Sequence, residues 1–183
     1  MAGPLAPTVL CVCTGNVCRS VIIQLYLAKV WKEDARVISA GTYAMEGWEV
    51  PEAAQEVMAS EGLDASQHEP VQLTVEMIEK ANLVLVASSD HRAWIAQQMG
   101  TVPPHVFLLT EAAALTVFAL RPPALDRGER IRRAADALNA ARAQLSDVHQ
   151  QNILDPTGLS IAAHEKALKL CTSSLDAITA WIG

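Results

Sequence analysis

The chain has 183 residues, 51% of them hydrophobic and 4% aromatic, which is room for one domain with a packed core and excludes a disordered chain. A net charge of −6 without any basic tract excludes a general nucleic-acid binder, since nothing tracks phosphates along a strand. No run reaches the ~20 apolar residues that span a bilayer, and "MAGPLAPTVL" lacks the basic start and apolar stretch of a secretory leader.

Residues 1–7 read as a flexible tail ahead of Thr8 to Cys13, a β-rich apolar run that predicts a strand buried on both faces. From Arg19 to Glu33, Ile22, Ile23, Leu25, Tyr26 and Val30 recur at helical spacing, so a helix follows. "RVISAG" predicts a second strand closed by Gly41. Pro51 to Glu61 predicts a helix with Pro in its first turn and Gly62 just past its end. "NLVLVAS" is a third strand, followed by a helix from about Asp90 to Met99, and "HVFLL" is a fourth strand. Arg121 to Gln150 opens on a Pro-Pro break and continues as an Arg/Ala/Leu-rich helical segment. Its basic run "RGERIRR", Arg127 to Arg133, contains Glu129 and reads as a solvated helix face. After "LDPTGLS" an amphipathic helix runs from about Ile161 to Trp181. Strands alternating with helices predict a single α/β domain over 1–183. Its architecture is three-layer α/β/α around a central four-stranded parallel sheet.

The chemistry concentrates in "VLCVCTGNVCRS", Val9 to Ser20. Between Cys13 at the strand end and Arg19 at the helix start, the chain must turn tightly, and Gly15 offers the backbone freedom for it. A loop feeding a helix N-terminus turns backbone N–H groups inward as a nest for an anion. Arg19 adds a planar fork suited to a tetrahedral oxyanion. Thiols at helix N-termini ionise more readily than free cysteine, so Cys13 is a nucleophile aimed at phosphorus. Three other readings are weaker. The Cys-x-Cys-x4-Cys spacing lacks a paired fourth ligand, Cys171 being far along the chain, so no metal is expected. No Lys-Ser/Thr follows the glycine as in a nucleotide loop. As plain core, Cys11 reads as a buried hydrophobe. Four cysteines, three crowded between 11 and 18, are no disulfide framework, so a cytoplasmic protein is expected.

"VCTGNVCRS" resembles the signature loop of the low-molecular-weight protein tyrosine phosphatases, V-C-x-G-N-x-C-R-S, and "ISAGT" and "QHEPVQLT" resemble further segments of that family in the same order. The resemblance implies Cys13 as nucleophile. Arg19 and the loop Thr14, Gly15, Asn16, Val17, Cys18 and Ser20 would hold the phosphoryl group. Asn16 and Ser20 would brace the loop, and Ser39 and His68 would buttress it. It also implies an Asp-Pro proton donor on a late loop, here Asp155-Pro156, where Pro156 restricts Asp155 to a non-helical turn. The implied reaction is phosphomonoester hydrolysis through a phosphocysteine, without cofactor, on a phosphorylated protein or small aryl phosphate. Cys18 would capture an oxidised Cys13 as a disulfide, or else is a small buried filler.

The chain departs from the family where aromatic walls stand. Met45 and Thr157 occupy those places, with Tyr43 and Trp48 near enough to replace one wall. Val17 stands where similar arginine phosphatases carry threonine, and Val21 and Gln24 replace a frequent Pro and Glu, changes expected to touch helix packing only. His91, His105, His149 and His164 show no ligand spacing and read as surface or helix-end residues. Two other functions share this loop: an arsenate reductase using a low-molecular-weight thiol, and a non-catalytic phosphate binder. The second has no need of Cys13 and Asp155 together.

Overall fold

The computed structural model describes residues 5–124, 126–145 and 151–183. The order of elements is β1 (Thr8–Cys13), α1 (Arg19–Trp31), β2 (Arg36–Gly41), α2 (Glu52–Ser60), α3 (Val75–Lys80), β3 (Leu83–Val86), α4 (Ser89–Met99), β4 (Val106–Leu108), α5 (Leu109–Leu115), α6 (Arg127–Ala141) and α7 (Ile161–Ile182). The strands form one parallel sheet in the order β2-β1-β3-β4. Side chains alternate across a strand, and β1 distributes its residues accordingly. Val9, Cys11 and Cys13 join a core with α1, α2, α5, α6 and α7, while Leu10 and Val12 join a second core with α3 and α4. The expected three-layer α/β/α architecture is the one observed. Because all four strands run the same way, the C-terminal ends of β1 and β3 lie side by side, Val12 opposite Val86. That is the edge at which parallel α/β sheets collect their sites.

Two helices escape the sequence patterns. The apolar run "HVFLL" reads as strand throughout, yet β4 ends at Leu108 and Leu109 opens α5. Glu111 makes the difference: its buried carboxylate accepts the Leu108 N–H and pairs with Arg92 and Arg142, so the chain turns helical there. α3 is a single short helix capped by Thr74, whose hydroxyl accepts the Met77 N–H at 3.3 Å. α1 stops at Trp31 rather than Glu33, because Lys32 takes a left-handed φ of 47° and a tight turn over Lys32–Asp34 follows.

"RGERIRR" is a solvated face only in part: Arg133 is exposed and pairs with Glu129, but two of its arginines serve the end of α7. Arg130 donates to the carbonyls of Ile182 (2.7 Å) and Gly183 (3.2 Å), and Arg127 donates to Gly183 O at 2.8 Å and to Asp34 Oδ2 at 3.0 Å. These arginines satisfy the carbonyls that the end of α7 leaves without intrahelical partners. Ile131, Ala134 and Leu138, at i+4, i+7 and i+11 from Arg127 and so on the same side of α6, are buried in the core that includes α7. Of the 121–150 segment, Leu125 and residues 146–150, including His149, lie outside the described residues.

Candidate active site

The turn between β1 and α1 is pulled outward by its carbonyls. Thr42, Tyr43 and Met45 donate backbone N–H groups to the carbonyls of Cys13, Thr14 and Gly15 at 2.9–3.0 Å, and His68 Nε2 donates to Asn16 O at 2.7 Å. Among the described residues, none of the N–H groups from Gly15 to Cys18 finds a protein acceptor. With every one of these carbonyls engaged on the outside, the donors are left for an anion on the inside. They sit at the N-terminus of α1, whose dipole favours negative charge there.

The residue that bends the loop is not the expected one. Gly15 has no positive φ; the left-handed residue is Asn16, at φ 57°. Asparagine tolerates that region better than other side chains, and here its side-chain amide is bonded through both ends. Asn16 Nδ2 donates to Ser20 Oγ (2.9 Å) and Ser39 Oγ (2.8 Å), and its Oδ1 accepts the Val71 N–H at 2.8 Å. The Ser39 hydroxyl donates in turn to Gln24 Oε1, so Gln24 belongs to the loop's support rather than to packing alone. Gly15 instead admits Met45: a Cβ there would stand 3.1 Å from the Met45 sulfur. Gly41 is the tighter glycine, since its Cβ would meet the Thr14 carbonyl at 2.4 Å.

Inside this frame Cys13 is buried, and its sulfur lies 2.9 Å from Ser20 Oγ. Arg19 is buried too. Its Nη1 donates to Ile153 O at 3.0 Å, and its Nη2 to Thr14 Oγ1 at 3.3 Å and to Asp155 Oδ2 at 2.6 Å. Its Nε is buried without a partner among the described residues, a donor for which an oxyanion would supply the acceptor. Asp155 comes from the loop before α7, 136 residues further along, and its side chain remains 45% exposed. Thr157 is more than a missing wall: its N–H (3.1 Å) and hydroxyl (2.8 Å) both donate to Asp155 Oδ1, fixing the carboxylate from the other side.

Cys11, Cys13, Cys18 and Cys171 are all buried and unbridged, in one core cluster. Burial first, and then the neighbouring Cys13 and Asp155, push the Cys18 thiol up to about 12, with Arg19 opposing. Cys171, distant in sequence, is close enough to Cys18 and Cys13 for all three to influence one another. Among the described residues no group of three or more His, Cys, Asp or Glu is placed to hold a metal ion. Tyr43 and Trp48 are 69% and 64% exposed, on the segment whose backbone holds the loop carbonyls.

Two histidines stand at helix ends, as expected, but are buried rather than on the surface. His164 is buried in α7, with Nδ1 donating to Ser160 O at 3.1 Å. His91, only 3% exposed, reaches the loop itself, with Nε2 2.9 Å from Thr14 Oγ1. No sequence spacing signals that contact, because the partners are 77 residues apart.

The site sits among known relatives. A probable low molecular weight protein-tyrosine-phosphatase of Ralstonia solanacearum is 38% identical over 104 residues, covering 57% of this chain and 71% of the relative. A protein-arginine-phosphatase of Geobacillus stearothermophilus is 34% identical over 103 residues, 56% of this chain and 69% of its own. The crystal structure of a tyrosine phosphatase from Erwinia amylovora shares the fold with a TM-score of 0.70, covering 97% of this chain and 94% of that one at 22% identity. The model of the low molecular weight phosphotyrosine protein phosphatases matches residues 8–146, from the first strand past α6. A cysteine at the end of β1, a loop of unpaired amides and an arginine at the head of α1 are thus set in a chain that belongs to that family of cysteine-dependent phosphatases.

Proposed function

We propose that the protein hydrolyses aryl phosphomonoesters of the phosphotyrosine type through a phosphocysteine on Cys13, with Asp155 as acid and then base. The observation that carries this is the convergence on one spot of the Cys13 sulfur, the unpaired amides of Gly15 to Cys18, and Arg19 with Asp155. The amides and Arg19 stabilise the equatorial phosphoryl oxygens as charge develops there. Cys13 Sγ forms the S–P bond as the P–O bond breaks, and Asp155 gives its proton to the departing oxygen. Water then attacks phosphorus, Asp155 takes the water's proton, and the S–P bond breaks to restore the thiolate. Ser20 Oγ, donating to the sulfur, stabilises it in both steps. A phosphoryl oxygen in the loop competes with Asp155 for Arg19 Nη2, so substrate entry frees the carboxylate from its ion pair. The exposed Tyr43 and Trp48 offer the aromatic surface that Met45 and Thr157 lack, and stacking of this kind contributes about 0.5–1.5 kcal/mol beyond burial.

The test is a pair of variants on aryl phosphates of graded leaving groups. Cys13→Ser should abolish turnover while phosphate or vanadate still binds. Asp155→Asn should slow poor leaving groups far more than good ones, since a good leaving group departs without a proton. Turnover of Cys13→Ser near the wild-type rate, or an equal loss across leaving groups in Asp155→Asn, would reject the respective role.

A further inference from the structure

We propose that His91 is a positioning residue which turns the Thr14 hydroxyl into a hydrogen-bond donor for the phosphoryl group in the loop. β3 ends beside the end of β1. Ser88 caps α4 there, and His91 lies one turn into the helix. Its Nδ1 is 3.0 Å from the Ser88 backbone nitrogen and 3.0 Å from Ser88 Oγ. A backbone N–H only donates, so Nδ1 carries the lone pair and the neutral ring keeps its proton on Nε2. The contact of 2.9 Å between His91 Nε2 and Thr14 Oγ1 therefore runs in one direction, from imidazole to hydroxyl. Arg19 Nη2 donates to the same oxygen at 3.3 Å.

A hydroxyl has two lone pairs and one proton. Both lone pairs of Thr14 Oγ1 are taken by these donors, and among the described residues no acceptor faces its proton. His91 and Arg19 are buried while Thr14, a residue of the anion loop itself, is partly exposed, which leaves the hydroxyl proton for an anion bound there. The backbone amide of Ser88 thus sets the polarity of the whole chain of bonds, from Ser88 through His91 and Thr14 to the oxyanion. Burial, with the Arg19 charge beside it, pulls His91 down to about 4, which keeps the ring in the neutral form that this relay needs. Capping of α4 accounts for the Nδ1 contacts alone; it gives no reason for Nε2 to end on the loop.

The inference rests on the Cys13 loop being the phosphate cradle, and affinity for inorganic phosphate separates the two. The dissociation constant for phosphate should rise about tenfold in Thr14→Val, the scale of a lost hydrogen bond to a charged group. Thr14→Ser, which keeps the hydroxyl, should recover most of that loss. His91→Phe should weaken phosphate by a similar factor in the wild-type background and by almost nothing in Thr14→Val. Should His91→Phe disturb folding, Thr14→Val and Thr14→Ser still decide the donor role, because neither touches the α4 cap. Phosphate affinity indifferent to Thr14→Val overturns the donor role alone, and an undiminished effect of His91→Phe in Thr14→Val overturns the positioning role. A wild-type protein with no phosphate affinity overturns the cradle itself, and this inference with it.

Discussion

At the scale of single residues, the loop depends on a glycine outside it. Gly41 ends β2 and exchanges backbone hydrogen bonds with Val71 and Leu73, both at 2.8 Å, which fixes it on two sides. A methyl group there would meet the Thr14 carbonyl at 2.4 Å and the Asn16 nitrogen at 3.0 Å. Both atoms are backbone and cannot swing away, so Gly41→Ala must push the loop between β1 and α1 off its position. Overpacking of this kind costs about 1–3 kcal/mol. The expected outcome is a protein that still folds, melts lower, and loses most of its aryl phosphatase activity; unchanged kcat/KM would show that the loop tolerates the shift. Gly15→Ala should be milder, because the atoms it crowds, the Met45 sulfur at 3.1 Å and its Cγ at 3.2 Å, belong to a flexible side chain rather than to backbone. The sequence makes the loop legible, since Cys13, Arg19 and Ser20 are neighbours along the chain. It misdirects on which residue bends the backbone, because glycine is the default expectation at a turn. The hydrogen bonds that hold Asn16 left-handed come from Ser39 and Val71, far away in sequence.

At the scale of elements, α4 presents its first turn to the site with a neutral histidine inside it. His91 is pulled from 6.5 to about 4, by burial first and the Arg19 guanidinium second, with Asp90 and Asp155 pulling the other way. His68, which donates to Asn16 O, is also lowered, chiefly by burial. A depressed histidine pKa means that the unfolded chain binds the proton more readily than the folded one. Above about pH 6.5 neither state is protonated and the full stability is present; as pH falls towards 4 that stability is lost. For His91 the loss is on the order of 3 kcal/mol across this window. Chemical denaturation at pH 7 and pH 4.5 should therefore give a stability gap that narrows in His91→Phe. An equal gap in both proteins would place the acid sensitivity elsewhere. The strands and the long helices could be read from their periodicity, but this helix start could not. Its function depends on a contact across the sheet edge to Thr14, and α5 likewise depends on Glu111 meeting Arg92 and Arg142 from other elements.

At the scale of the whole molecule, the cradle is a small positive centre in a chain of net charge −6. The cationic groups at the site are few and enclosed: Arg19 is buried, and the amides of Gly15 to Cys18 act only at close range. On the segment that braces the loop the exposed charge is acidic. Glu46 and Glu49 flank Gly47 and Trp48 on the segment that braces the loop, and Glu52 opens α2 just beyond. A phosphorylated peptide thus meets repulsion from the surface before it meets attraction from the loop. Basic residues on either side of the phosphorylated one would offset that repulsion, and acidic ones would add to it. Surface charges of this kind are screened over ~10 Å at 0.1 M salt and ~3 Å at 1 M, whereas contacts in the buried cradle are screened much less. For two phosphotyrosine peptides of equal length, one with Lys flanks and one with Glu flanks, kcat/KM should favour the Lys peptide several-fold at low ionic strength. Salt should close that gap, chiefly by raising the rate on the Glu peptide. Glu46→Gln combined with Glu49→Gln should close part of it without salt, with a smaller gain for an aryl phosphate that carries no charged flanks. Equal rates on both peptides at low salt would mean that the field at the mouth is set by Arg19 and the loop amides, not by the acidic segment that braces the loop.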